Sequence, residues 1–214
     1  MRSNSFLKFS PHPELYNSSG EPTHAFMSPS QGAWINDDRE KFIQRYDNFY
    51  AKQRGTEIHD SVSKLIRFIK KFPELGITGL KGKGTVSLFV NDVLKMRMDS
   101  EVPLRYSDIC YGFADAAQFD IRHNVLRISD LKTGIVPAKF RQLEIYAALL
   151  LLEYEPVLTF QHHVDLENMI VELRIYQFDD IQLETRNYYD ILEYMEKIRT
   201  EHEWLSEELE RRDA

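Results

Sequence analysis

Two acidic residues and a lysine near the middle of the chain have the types and spacing of a metal-dependent hydrolytic site. Asp130 and Lys132 stand two apart in an apolar stretch, and Asp115 precedes them. Side chains two apart on a strand project from one face, with their backbones about 6–7 Å apart. If Asp115 reaches that face, its carboxylate joins Asp130 and the Leu131 carbonyl. Such oxygen atoms suit Mg²⁺ or Mn²⁺ and an activated water.

The residues around these aspartates predict an antiparallel β-hairpin. Apolar-rich segments at 109–119 and 125–131 flank the segment 120–124, whose sequence DIRHN has the length and residue types of a turn. Pairing of the two segments can place Asp115 on the face of the hairpin that carries Asp130 and Lys132. We therefore expect the hairpin to build the site.

Five short motifs stand in a fixed order between Ser28 and Ala147. They are SPS from Ser28, GTEIH ending at His59, GFAD ending at Asp115, ISDLKTG from Ile128 and QLEIYA from Gln142. Any one of them is common, but the ordered set resembles the PD-(D/E)XK nuclease superfamily, in its RecB-like branch. The resemblance implies a restriction-endonuclease-like fold and metal-dependent cleavage of DNA.

The resemblance also implies a role for each matched residue near the hairpin. It makes His59, Asp115, Asp130 and the Leu131 carbonyl ligands of one or two Mg²⁺ or Mn²⁺ ions, and it makes Lys132 the group that positions water and offsets developing charge. The sequence leaves open whether Lys132 also acts as a base. Taken alone, His59 has the features of a surface histidine at the start of a helix.

Gln142 and Tyr146 stand four apart and share one helix face. The resemblance places both beside the catalytic groups, where they contact the substrate phosphate or order the site. Without the resemblance, this segment is an ordinary core helix with an amphipathic tyrosine and a solvated glutamine.

The activity implied by the resemblance is a metal-dependent DNA exonuclease that hydrolyses phosphodiester bonds from a free end. We expect it to prefer single-stranded DNA and to act in phage or bacterial DNA recombination, repair or replication. A recombinase, a single-strand-binding protein or a helicase is the expected partner, and self-association is a further expectation. Three alternatives remain open: a structure-dependent endonuclease, an inactive nucleic-acid-binding or assembly protein, and an unrelated interaction module.

Length and composition predict one globular domain at 37–214 preceded by an irregular arm at 1–36, and the resemblance implies that this domain is the nuclease. The chain has 214 residues, of which 43% are apolar, and no low-complexity block. Its one cysteine, Cys110, excludes an intramolecular disulfide and the four-cysteine iron–sulfur cluster of many relatives. No stretch resembles a signal peptide or a membrane span, so we expect a cytoplasmic protein without membrane contact.

The net charge of −7 argues against wide docking on duplex DNA. One segment is locally basic, since Glu74 is the only acid between residues 64 and 83. Its cations are Lys64, Arg67, Lys70, Lys71, Lys81 and Lys83. This segment predicts a track for substrate phosphates. A solvated helix face followed by a lysine-rich loop is an equally good interpretation.

Hydrophobic periodicity predicts an α/β fold with a small central mixed sheet flanked by helices. The expected order is α-β-β-β-α-β, with extra N-terminal helices and a long C-terminal helix. Predicted helices cover 38–53, 56–72 with Thr56 as cap, 85–98, 138–154 and 181–211. Predicted strands cover 102–106, the two hairpin segments, 157–164 and 169–178.

Overall fold

The computed structural model describes residues 7–17, 20–49, 57–133 and 137–213. Within these ranges, the α-helices are α1 (Arg39–Phe49), α2 (Glu57–Lys71), α3 (Thr85–Met96), α4 (Arg141–Phe160) and α5 (Tyr188–Asp213). The strands are β1 (Asp99–Ser107), β2 (Cys110–Asp120), β3 (Val125–Leu131), β4 (Ile170–Gln177) and β5 (Asp180–Asn187). Short 3-10 helices cover Pro13–Leu15, Pro29–Asn36, Pro73–Leu75 and Leu166–Asn168.

The strands form one open mixed sheet in the order β1-β2-β3-β4-β5. The first three form an antiparallel meander, β3 and β4 run parallel, and β4 pairs antiparallel with β5. A parallel neighbour requires a crossover connection, and α4 provides it between β3 and β4. The fold is therefore α/β, as the hydrophobic pattern predicts, with a long C-terminal helix.

Helix α4 is the centre of the larger of two hydrophobic cores. Every residue from Leu143 to Leu151 is buried, and all but Glu144 are hydrophobic, so the helix is apolar around most of its circumference. It packs against the sheet on one side and against α5 on the other. Neither helix, nor any other in the described ranges, is long and apolar enough to cross a membrane.

The smaller core lies between the sheet and helices α2 and α3. Ile66 of α2 and Val90 of α3 are fully buried there and pack with Leu131 of β3 and Tyr176 of β4. The Tyr176 hydroxyl also donates a hydrogen bond to Asp92 of α3, at 2.8 Å. Helix α2, which carries His59, is thus held against the end of the sheet where the predicted site lies.

The N-terminal arm contributes to the larger core. Phe26 and Trp34 are buried, and the Trp34 indole N–H donates to the Ser28 carbonyl at 3.3 Å. A Cβ added to Gly112 of β2 would lie 2.7 Å from the Ser28 hydroxyl and 3.0 Å from Pro29. The SPS motif therefore packs directly on β2, and glycine is required at position 112 because the arm approaches so closely.

Two sequence predictions were wrong. Residues 157–164 were expected to form a strand, but α4 continues through Pro156 to Phe160, because Leu158 is fully buried in the larger core. The helix predicted for 181–211 begins only at Tyr188, because residues 180–187 form β5 and pair with β4. The predicted helix residues 50–53, the Thr56 cap and the motif residues Gly55 and Gly134 lie outside the described residues.

Candidate active site

The site lies where the ladder between β2 and β3 ends. The last paired residues are Ala116 and Ser129, and Asp115 and Asp130 lie one step beyond them. There the Asp115 carboxylate replaces the missing backbone partner, because its Oδ2 accepts a hydrogen bond of 2.7 Å from the Leu131 N–H. The end of the ladder thus leaves two aspartates beside each other without a backbone bond between them.

His59, near the start of α2, contacts the same carboxylate from the other layer. Its Nδ1 lies 3.1 Å from Asp115 Oδ1. The hydrogen bond to Asp115 raises the pKa of the His59 imidazole, although partial burial opposes the shift. The structure therefore brings His59 and Asp115, which are distant in sequence, into direct contact.

Asp130 is almost completely buried and carries an unsatisfied oxygen. Lys132 Nζ lies 3.1 Å from Oδ1 and 2.9 Å from Oδ2 of Asp130, but only the contact to Oδ1 has hydrogen-bond geometry. Burial, together with the charge of Asp115, raises the pKa of Asp130 to about 7, against the lowering effect of Lys132. The ammonium of Lys132 therefore neutralises Oδ2 electrostatically but leaves it without a well-oriented donor, and such a buried oxygen is costly in a fold.

A chain of hydrogen bonds runs from Asp130 to the first turns of α4. The Lys132 ammonium donates to Gln142 Oε1 at 2.8 Å, and Gln142 Nε2 contacts the Tyr146 hydroxyl at 2.5 Å. The Lys132 N–H itself donates to the Tyr176 carbonyl at 2.9 Å, which extends the β3–β4 pairing. Lys132 is thus fixed both through its backbone and through its side chain.

Tyr146 lies at the buried end of this chain. Burial, and then the charges of Asp130 and Asp115, raise the pKa of Tyr146 well above its usual value. The phenol therefore stays protonated at neutral pH. A neutral hydroxyl at this position holds the Gln142 amide, so that the amide oxygen points at Lys132.

The donor atoms fit a hard divalent cation in their chemistry. Among the described residues, no group of three His, Cys, Asp or Glu side chains converges as a complete metal site. The unsatisfied oxygen of Asp130, the adjacent charge of Asp115 and the imidazole of His59 nevertheless form one polar cluster. A cation beside Asp130 would offset the repulsion between the two carboxylates and occupy the open acceptor.

The basic residues of segment 64–83 divide into two sets. Arg67 and Lys70 form ion pairs with Glu101 and Asp99 of β1, so both cations serve the packing of α2 on the sheet. The remaining cations are all exposed: Lys64, Lys71, Lys81 and Lys83. Lys83 precedes Gly84, which lines a cavity together with Lys132, so the end of the loop after α2 lies near the site.

His24 is a residue near the site that sequence reasoning missed. Its ring packs edge-on against Phe113, with the ring centroids 5.7 Å apart. Burial lowers the pKa of His24, and the negative charge of Asp115 opposes that shift. No sequence pattern marks His24, because only the folding of the arm across β2 brings it close to Asp115.

A scan against protein-family models finds no match for this chain, and a search of curated proteins finds none either. The assignment of a function therefore rests on the residues and their geometry.

Proposed function

We propose that this protein is a metal-dependent deoxyribonuclease of the PD-(D/E)XK type, and that it acts as an exonuclease. One observation carries the proposal. Asp115, Asp130 and Lys132 lie together where the β2–β3 ladder ends, and one carboxylate oxygen of Asp130 has no hydrogen bond. The order of the elements, three helices, a three-stranded meander, a crossover helix and a parallel strand, agrees with the α-β-β-β-α-β core of that superfamily.

His59, Asp115, Asp130 and the Leu131 carbonyl are the groups that would hold one or two Mg²⁺ or Mn²⁺ ions. Such an ion, when bound, polarises a phosphate and lowers the pKa of a bound water. The protein groups prepare this site by burying Asp130 and by holding Asp115 against the Leu131 N–H. A bound cation would offset part of the free energy that burial of the Asp130 carboxylate costs.

Lys132 is the group that faces the phosphate. Its ammonium is partly exposed, in contrast to the buried Asp130 beside it, and can offset negative charge that develops on the phosphate oxygens. Gln142 Oε1 accepts a hydrogen bond from this ammonium and so restricts the direction of the Lys132 side chain. Tyr146 orients Gln142 in turn, which makes both α4 residues positioning residues for Lys132.

Two features support action on single strands, and the requirement for a free end comes from the resemblance to the RecB-like branch. The net charge of −7 disfavours a broad contact with duplex DNA, whereas the exposed lysines of segment 64–83 would offer a locally basic surface to a single strand. The single strand would come from a recombinase, helicase or single-strand-binding partner in phage or bacterial DNA recombination, repair or replication. Self-association would help to enclose it.

End dependence is tested by comparing linear with covalently closed circular DNA, both single- and double-stranded, in Mg²⁺ or Mn²⁺. We expect the linear single strand to be degraded at least about tenfold faster than either circle. An Asp115→Asn variant serves as the control for contaminating nucleases. Equal cleavage of the circular DNA would identify the protein as an endonuclease. Binding of DNA without any cleavage would indicate an inactive nucleic-acid-binding protein.

His59→Ala is expected to weaken Mn²⁺ binding by about 10–100-fold, because it removes an imidazole ligand and leaves Asp115 Oδ1 without its partner. Isothermal titration calorimetry measures the affinity. His123→Ala is the matched control, since His123 also contacts an aspartate, Asp120 Oδ2 at 2.8 Å, but lies on the exposed hairpin turn. Equal Mn²⁺ affinities in wild type and His59→Ala would return His59 to the role of a surface histidine.

A further inference from the structure

The tight turn between β4 and β5 has an unusual backbone. Phe178 and Asp179 form its two central residues, and both have positive φ, at 56° and 57°. Two-residue turns of this kind favour asparagine and glycine, because a bulky side chain is strained in the left-handed region. A phenylalanine there is unfavourable for the turn itself, so its presence needs another explanation.

The strained turn is tied to the start of α3. Asp179 Oδ1 accepts hydrogen bonds from the Thr85 N–H at 2.7 Å and from the Thr85 hydroxyl at 2.9 Å. In return, the Asp179 N–H donates to the Thr85 hydroxyl oxygen at 2.8 Å. These bonds fix the turn across two layers of the fold, which is how a strained backbone persists. They also occupy the Thr85 N–H, so the helix start is not free to bind an anion.

The turn holds the Phe178 side chain at the wall of a cavity next to the candidate site. The cavity has a volume of about 410 Å³, and Lys132 and Thr133 line it together with Ser87 and Val86. Phe178 is 56% exposed. An aromatic ring that is more than half exposed and lines the same cavity as the proposed catalytic Lys132 is available for stacking and is not committed to core packing.

We propose that this cavity, the Phe178 pocket, receives the nucleotide next to the scissile phosphate, with its base stacked on the Phe178 ring. The inference rests on the proposed nuclease function and identifies a substrate contact within it. A volume of this size lies within the ~300–1,000 Å³ range of small-ligand sites. The Asp179 carboxylate in the wall is already bound by Thr85, whereas Lys132 lines the pocket and exposed Lys83 precedes its wall residue Gly84. The two lysines favour an anionic occupant. Stacking requires no particular base, which suits an exonuclease that must pass every sequence.

The test measures binding without cleavage, as the fluorescence anisotropy of a labelled oligothymidylate with Ca²⁺ in place of Mg²⁺. We expect Phe178→Ala to raise Kd about tenfold, and Phe178→Trp to retain the wild-type Kd because it keeps a stacking face. Phe160→Ala is the matched control, since Phe160 is 78% exposed but lies at the opposite end of α4 from Gln142. An equal loss in Phe160→Ala, or no loss in Phe178→Ala, overturns the proposal.

An abasic scan locates the stacked nucleotide. One abasic residue is placed at successive positions from the end of the oligonucleotide. Wild-type affinity should fall about tenfold at one position near the end, and Phe178→Ala should show no further fall there, because the base and the ring act as a pair. Additive losses at that position would show that Phe178 and the base do not contact each other.

Phe178→Asn separates stacking from a structural role of the ring. Asparagine tolerates the left-handed backbone, so we expect this variant to melt a few degrees higher than wild type while it binds DNA as weakly as Phe178→Ala. A lower Tm together with weaker binding would make Phe178 a structural residue and overturn the stacking role. Cleavage is measured separately. If the wild type cleaves DNA and Phe178→Ala cleaves it at the same rate, the role of the Phe178 pocket is overturned and the nuclease function stands. If the wild type binds DNA through Phe178 but never cleaves it, only the nuclease function is overturned.

Discussion

Asp130→Asn is expected to abolish the proposed DNA cleavage and at the same time to stabilise the metal-free protein at neutral and alkaline pH. The loss of activity follows because the amide cannot serve as an anionic ligand beside Asp115. The gain in stability follows because the wild-type carboxylate is buried, has an oxygen without a hydrogen bond and feels the charge of Asp115. We expect at least a thousandfold loss of activity and a gain on the order of 2–4 kcal/mol in the free energy of unfolding, from ~1.4 kcal/mol per pKa unit.

The pH dependence of this gain has a definite sign. The pKa of Asp130 is raised to about 7 in the folded protein from 3.8 in the unfolded chain. Between these values the folded protein binds the extra proton, so wild-type stability falls as the pH rises and levels off above pH 7. The stability difference between Asp130→Asn and wild type should therefore open from about pH 4 to pH 7 and stay constant above.

Urea unfolding in EDTA at several pH values measures this difference. Asp108→Asn is the control, since Asp108 lies on a turn and 92% of its side chain is exposed, so removal of its charge should change stability little. A wild type that is as stable as Asp130→Asn at pH 8 would show that the ionised Asp130 carboxylate does not destabilise the folded protein. Retained cleavage in Asp130→Asn would remove it from the catalytic site.

The hairpin and its polar residues were predictable because their signals are local. A turn-like segment between two apolar runs predicts the hairpin, and a spacing of two places Lys132 beside Asp130. The register that brings Asp115 opposite Asp130 was left open by the sequence, because it depends on the pairing of Asp120 with Val125 at the turn. The contact of Lys132 with Gln142 was anticipated only through the resemblance, since nothing in the spacing of α4 states which of its faces meets β3. Periodicity predicts that a helix has an apolar face but does not identify the partner of that face.

The errors have the same origin in long-range contacts. Proline inside a helix usually ends it, yet α4 continues past Pro156 because burial of Leu158 outweighs the lost hydrogen bond. The turn at Phe178 and Asp179 has no glycine or asparagine, so β5 was predicted as part of a helix. Its stabilising partner, Thr85, is distant in the chain and carries no sequence signal for this contact.

Lys132→Met is expected to lower the turnover number about 10²–10³-fold with little change in the KM for DNA. Methionine keeps roughly the length of the side chain and removes the ammonium to which we assign the role of offsetting charge on the phosphate. The variant also removes the ion pair that lowers the pKa of Asp130, so that pKa rises further above its already raised value. At pH 7 the carboxyl group is then mostly protonated and binds a cation poorly.

Metal binding and turnover therefore separate in Lys132→Met when the pH is raised. Mn²⁺ affinity should recover between pH 7 and pH 9 as Asp130 ionises, whereas single-turnover cleavage at saturating Mn²⁺ should stay low, because the ammonium is still missing. Gln142→Leu is the control for the position of the ammonium, since it keeps the ammonium but removes the hydrogen bond that orients it. We expect the turnover number of this variant to fall only about tenfold. Recovery of cleavage in parallel with Mn²⁺ affinity would show that Lys132 acts only by lowering the pKa of Asp130, and that the phosphate is stabilised by other groups.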